Sequence, residues 1–255
     1  MSETRIRVAA AGDVHCDELG RERAQAAFAR VARESDLVLL AGDLTTHGEP
    51  AEAAVLADAC RNLPIPVVAV LGNHDLHAGH HDEVVAVLRE AGITLLEQGW
   101  TVCDVNGATV GVVGTKGFVG GFPGSSIPDF GEPSLRGLYA ETTAEVEAID
   151  RGLEAVRDCS LRIVLLHYAP TMTTLAGEPE GIWALLGSNR LAAPIARHRA
   201  DLVVHGHAHE GTFEGAIGAV PVYNVAVQVT GRDFWIFELE PGATRPDVGV
   251  RATPT

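Results

Sequence analysis

Short apolar runs in this chain stop repeatedly at small polar clusters. RIRVAAAGDVH (residues 5–15), DLVLLAGD (36–43), PVVAVLGNHD (66–75), RIVLLHY (162–168) and DLVVHGHAH (201–209) each carry an unbroken stretch of Val, Leu, Ile or Ala before Asp, Asn or His. Runs of this kind predict strands buried on both faces. Between them lie helical stripes. Residues 19–33 place Leu19, Ala24, Ala27, Phe28 and Val31 on one side, and residues 82–91 do the same with Val84, Val87, Leu88 and Ala91. A third helix is predicted from Thr142, with Glu145 completing a capping box, through Val146, Ile149, Leu153 and Val156.

Alternating strands and helices predict a mainly parallel sheet, in which ligands gather at the carboxyl ends of the strands. The polar clusters sit at those ends. From residue 93 the pattern tightens into ITLLEQ, WTVCDV and TVGVVG, and later into VPVYNVAV and FWIFELE, which read as antiparallel or mixed strands of a second sheet. Residues 1–240 are expected to form one domain, and the Pro- and Gly-rich residues 241–255 a loosely held tail.

Composition narrows the function. The chain has 255 residues, 46% of them hydrophobic, enough for a substantial core, and a formal net charge of −15. Such a balance argues against general nucleic-acid binding and against an anionic membrane partner, both of which rest on basic surfaces. The N-terminal apolar run is too short for a secretory or spanning segment, so a cytoplasmic location is expected. Cys16, Cys60, Cys103 and Cys159 have no paired spacing and read as reduced thiols, with Cys16 a small packing residue.

The strand-end residues form a set: Asp13, His15, Asp43, Asn73, His74, His167, His207 and His209. Carboxylate, carboxamide and imidazole without thiolate suit manganese, iron or zinc held in a catalytic site, and the set is better matched to two ions than to one. Glycines before Asp43, Asn73 and His207 fit tight turns that bring the chain close to such a site.

Asp13-Val-His15, Gly42-Asp43, Gly72-Asn73-His74-Asp75, His167 and Gly206-His207-Ala208-His209 resemble, in order, the five signature blocks of the calcineurin-like metallophosphoesterase superfamily. The resemblance implies an α/β fold, a four-layer α/β/β/α sandwich with two central mixed sheets and a two-metal centre at one edge. It assigns Asp13, His15 and His209 to the first metal, Asn73, His167 and His207 to the second, and Asp43 to both. His74 takes the place of the family histidine that contacts the phosphoryl oxygen or assists the leaving group.

The implied cofactors are two divalent or mixed-valence ions, manganese or iron, with zinc as a further option. Two ions roughly 3.5 to 4 Å apart share a hydroxide that attacks in line, and their charge lets an acidic protein bind phosphate. The implied function is hydrolysis of a phosphodiester. A phosphomonoesterase acting on a small phosphorylated metabolite and a non-catalytic metal- or nucleotide-binding module are the alternatives. The expected partner is a small phosphoester, with the oligomeric state, a homodimer included, left open.

The segment after Asp43 lacks the Asp and Arg of protein Ser/Thr phosphatases, and no Tyr follows Asp43 as in purple acid phosphatases. The layout resembles the bacterial class III cyclic-nucleotide phosphodiesterase group and small uncharacterised bacterial phosphoesterases. Thr46 offers no acid to orient His74. Lys116, in the glycine-rich segment 114–126, together with His47, His80, Tyr168 and Arg136, are the candidate substrate contacts. His77 and His81 read as polar loop residues, His198 as a surface residue, and His205 as a core histidine that is not a ligand.

Overall fold

The computed structural model describes residues 5–242 and 251–253. The first half runs β1 (Ile6–Ala11), α1 (Arg21–Glu34), β2 (Leu37–Ala41), α2 (Pro50–Cys60), β3 (Val67–Val70), α3 (His81–Glu90) and β4 (Thr94–Leu95). A hairpin of β5 (Gly99–Val105) and β6 (Ala108–Gly114) follows, then the small pair β7 (Gly121–Phe122) and β8 (Ser125–Ser126). After them come α4 (Pro133–Ala155), β9 (Leu161–Leu165), α5 (Trp183–Leu186), α6 (Ala192–His198) and β10 (Leu202–His205). The chain closes with β11 (Glu214–Ile217), β12 (Val220–Asn224), α7 (Val227–Thr230), β13 (Trp235–Leu239) and β14 (Arg251–Thr253).

Two six-stranded sheets result, ordered β14-β13-β1-β2-β3-β4 and β11-β12-β10-β9-β6-β5. Their inner faces meet in a shared core. Because side chains alternate along a strand, Val8, Ala10, Leu37, Leu39, Val68 and Val70 of the first sheet face Val110, Val112, Ile163, Leu165 and Val204 of the second. The opposite residues, Ala9, Val38, Leu40 and Ala69, pack under α1, α2 and α3, while Val113, Val164 and Val203 pack under α4 and α6. This is the α/β/β/α sandwich with two mixed sheets. Burial on both faces explains why β2, β3 and β9 read as continuous apolar runs.

The N-terminus of α2 carries a reciprocal cap between Glu49 and Glu52, with Pro50 in its first turn. The β5–β6 hairpin turns on Asn106-Gly107, both with positive φ. Among the described residues no helix is long and apolar enough to cross a membrane.

Three sequence expectations are corrected. FWIFELE and ITLLEQ do not belong to the second sheet: β13 lies antiparallel to β1, and β4 lies parallel to β3. The strands β9 and β10, although written like β1 to β3, build the second sheet with β6 and β12. Local pattern records burial but not which of two facing sheets a strand joins. Helix α4 begins at Pro133 rather than Thr142, because extended Glu132 and Pro133 start it. Thr142 then sits inside the helix and donates to the carbonyls of Val119 and Leu138. Leu19 precedes α1 and is 97% exposed, so the buried stripe starts later, with Ala27, Phe28 and Val31. Most of the expected tail lies outside the described residues, while Arg251–Thr253 pair with β13.

Candidate metal centre

The carboxyl ends of β1, β2 and β3 in one sheet and of β9 and β10 in the other open at the same edge. Main-chain bonds carry the strand pairing past the strand ends. Asp13 N donates to Gly42 O (3.0 Å), His15 N to Asp43 O (3.0 Å) and Gly206 N to His167 O (3.1 Å). The two sheets are joined there by a side chain, His167 Nδ1 donating to Ala41 O at 2.9 Å.

Two ligand groups form at this edge. Side-chain ligand atoms of Asp13, His15, Asp43 and His209 lie within 4.8 Å of one another, as do those of Asp43, His167 and His207. Asp43 belongs to both. The amide oxygen of Asn73 lies 2.9 Å from His167 Nε2, which adds it to the second group. Buried and half-buried oxygen and nitrogen donors at such spacing, with one carboxylate in common, fit a pair of divalent cations. Cys16 is buried in the core beneath α1 and belongs to neither group.

The backbone is held in an unusual state to achieve this. Asp13 (φ 55°), His15 (φ 42°), Asp43 (φ 48°) and His207 (φ 69°) all lie in the left-handed region, which side chains with a Cβ seldom occupy. Close approach explains two glycines. A Cβ on Gly42, itself at φ +80°, would lie 2.5 Å from His167 Nδ1, and one on Gly72 would overlap the Asp43 carboxylate and backbone nitrogen.

Electrostatics shifts the candidate ligands in different directions. Burial raises the Asp13 carboxyl, but the hydrogen bond from His209 Nε2 (2.8 Å) and the imidazoles of His167 and His209 outweigh it and hold it below its ordinary value. The same bond raises His209 against its burial. Burial lowers His15, and burial together with His167 pushes His207 down to about 3. Neutral imidazoles are the form that binds metals. Leu185 O, 3.3 Å from His207 Nε2, accepts a hydrogen bond from the N–H there, which leaves Nδ1 with its lone pair.

His74 stands at the rim. Its backbone N–H donates to Asp43 Oδ1 (2.9 Å), its Nδ1 donates to Thr46 O (2.7 Å), and its Nε2 lies 3.9 Å from Asp43 Oδ2. A backbone carbonyl therefore orients the ring where the sequence offers no acid. Below it, buried Asp75 accepts from Leu44 N (3.1 Å), Thr45 N (2.8 Å), Thr45 Oγ1 (2.6 Å) and Gly72 N (2.8 Å). This carboxylate joins the Asp43 turn to the Asn73–His74 turn. Its burial and the nearby Asp43 push its pKa up.

The remaining predicted contacts are dispersed. His47 is exposed and paired with Glu52 (2.8 Å), His80 lies near Glu83 (3.4 Å), and Arg136 lies 3.6 Å from Asp129. None of the three touches a ligand residue through a hydrogen bond or ion pair among the described residues. Tyr168 does stand at the site, its ring centroid 4.4 Å from that of His207, and Lys116 Nζ is 5.2 Å from the Tyr168 ring. His205 is a core residue, its ring bonded to Gly206 O and Thr174 Oγ1, each at 2.8 Å. His198 is only part exposed and bonds Asp150 (2.8 Å). Beside His15 opens a cavity of about 180 Å³ lined largely by Val14, Ala24, Phe28, Val227 and Phe234.

The candidate ligands stand out in the sequence, but the groups that support them do not. Asp75 was visible as the last residue of Gly-Asn-His-Asp, yet its partners are backbone amides, which no residue type announces. The carbonyls of Thr46, Ala41 and Leu185 leave no trace in the sequence.

The family model described as Calcineurin-like phosphoesterase matches residues 6–211, a span that contains all the candidate ligand residues. The chain is 26% identical over 195 residues to a probable cyclic nucleotide phosphodiesterase of Synechococcus sp.. That match covers 76% of this chain and 66% of the relative, so the chain spans just under two thirds of that relative's length. Among solved structures, the phosphopantetheinyl hydrolase PptH of Mycobacterium tuberculosis is similar with a TM-score of 0.61 and 16% identity, over 96% of this chain and 95% of that one. The protein TT1561 of Thermus thermophilus is similar with a TM-score of 0.59 and 19% identity, over 97% and 99% of the two chains. At these identities the two structures share the fold with this chain.

Proposed function

Because the chain belongs to the calcineurin-like phosphoesterase family, whose members are metal-dependent, we propose that it hydrolyses a small phosphodiester at a centre of two metal ions, manganese or iron. The observation that carries this reading is the Asp43 carboxylate shared by the two ligand groups. Asp13, His15 and His209 would hold one ion and Asn73, His167 and His207 the other. Bound there, the ions would lower the pKa of water toward neutrality and neutralise charge on the phosphoryl oxygens.

The chain's own residues do the rest. Left-handed turns and buried carbonyl acceptors lock the ligand side chains in place before any ligand arrives, which lowers the cost of reorganisation during the reaction. His74, with Nδ1 held by the Thr46 carbonyl, presents Nε2 at the rim beside Asp43 and from there exchanges a proton with an ester oxygen. The apolar cavity beside His15 suits an organic group on the ester, and the cyanobacterial relative's description as a probable cyclic nucleotide phosphodiesterase supports a diester.

The test is direct. Protein stripped of metal and refilled with Mn²⁺ is expected to hydrolyse bis-p-nitrophenyl phosphate faster than p-nitrophenyl phosphate. A strong preference for the monoester would replace the diesterase reading with a phosphomonoesterase. Failure to turn over either ester with any metal would favour a binding module.

A further inference from the structure

Tyr168 follows the ligand His167 and lies against the second ligand group. The residue is 6% exposed, with its ring centroid 4.4 Å from that of His207 and 5.4 Å from that of His167. Phe118 closes on it edge-on at 5.9 Å, and Lys116 Nζ sits 4.1 Å from the Phe118 centroid and 5.2 Å from that of Tyr168. The amine is also 3.4 Å from Glu141. Packing against Phe118, His167, His207 and Lys116 therefore holds the ring in place.

The hydroxyl is different. Among the described residues it takes part in no protein hydrogen bond, and it is not among the side-chain polar atoms sealed without a partner in the interior. The other strongly buried tyrosine, Tyr223, bonds its hydroxyl to Glu214 at 3.3 Å. Phenylalanine would fill the Tyr168 position equally well if packing were its only role. A packed ring beside two candidate ligand histidines, carrying a donor that no described protein group uses, suits a preorganised contact to developing negative charge.

We propose that the Tyr168 hydroxyl donates a hydrogen bond to a phosphoryl oxygen of the bound ester, with Lys116 packed beside the ring. The proposal rests on the phosphoesterase reading above. It deepens that reading by naming a substrate contact on the side of Asn73, His167 and His207. No bond to the hydroxyl is made or broken in the reaction; it stays protonated and stabilises charge by position.

The experiment compares Mn²⁺-loaded wild type with Tyr168→Phe, using bis-p-nitrophenyl phosphate turnover, manganese content and the affinity for inorganic phosphate measured by calorimetry. Wild type that turns over no phosphoester defeats the phosphoesterase reading itself. Given wild-type turnover, Tyr168→Phe is expected to keep its manganese and its melting curve, lose about 10- to 100-fold in kcat/KM, and bind phosphate more weakly. Unchanged kcat/KM and phosphate affinity would overturn the proposal. Loss of manganese would overturn it too, since the hydroxyl would then act by supporting the metal site rather than by touching the ester.

Discussion

Asp43→Asn is expected to empty both metal positions together and to lower kcat/KM for the preferred phosphoester by about a thousandfold or more. The reason is its double membership: the same carboxylate stands within ligand distance of Asp13, His15 and His209 on one side and of His167 and His207 on the other. Asparagine keeps an acceptor for the His74 amide, which now bonds Asp43 Oδ1 at 2.9 Å, so the turn has no reason to unfold. What disappears is one negative charge in a buried site where two cations would share it. His209→Ala is the contrasting variant. It removes a ligand of the first group alone, and its manganese content is expected to fall by one ion rather than two. Elemental analysis of the two variants beside wild type checks this, and equal metal content in all three would refute the ligand assignment.

The second large effect is on stability and comes from a residue that binds nothing itself. Asp75→Ala strips the acceptor from three backbone amides and one hydroxyl, all buried between the Asp43 and Asn73 turns. A buried donor left without a partner costs about 1 to 3 kcal/mol, so the metal-free variant is expected to lose roughly 3 kcal/mol or more of unfolding free energy. Urea denaturation followed by circular dichroism measures it, as a lower midpoint with an unchanged slope. Metal affinity is expected to fall as well, because the two turns would no longer be pinned to each other. A loss below about 1 kcal/mol would mean that the amides find other partners and that Asp75 does not tie the turns together.

The candidate ligands were legible because each cluster of them follows an apolar run that buries a strand on both faces. The chain therefore has to break into polar residues where the strand leaves the core, and Asp13, Asp43, Asn73, His167 and His207 occupy those breaks. The order of the five blocks then gave the family. Sheet membership was not legible: Val164 in β9 and Val38 in β2 meet equally apolar surroundings although they lie in different sheets. Thr142 and Glu145 imitated a helix start, but Pro133 sets the real one nine residues earlier, and Glu145 instead accepts from Gly117 N and Gln98. The orientation of His74 was hidden for another reason. Its partner is the main chain of Thr46, and a carbonyl is common to every residue, so no side-chain pattern marks it.

Crystals of the protein grown or soaked with Mn²⁺ and measured for anomalous scattering test the central claim most directly. Two peaks are predicted, one among Asp13, His15, Asp43 and His209 and one among Asp43, Asn73, His167 and His207, with the Asp43 carboxylate between them. A single peak, or peaks away from these side chains at saturating manganese, would contradict a shared two-cation centre.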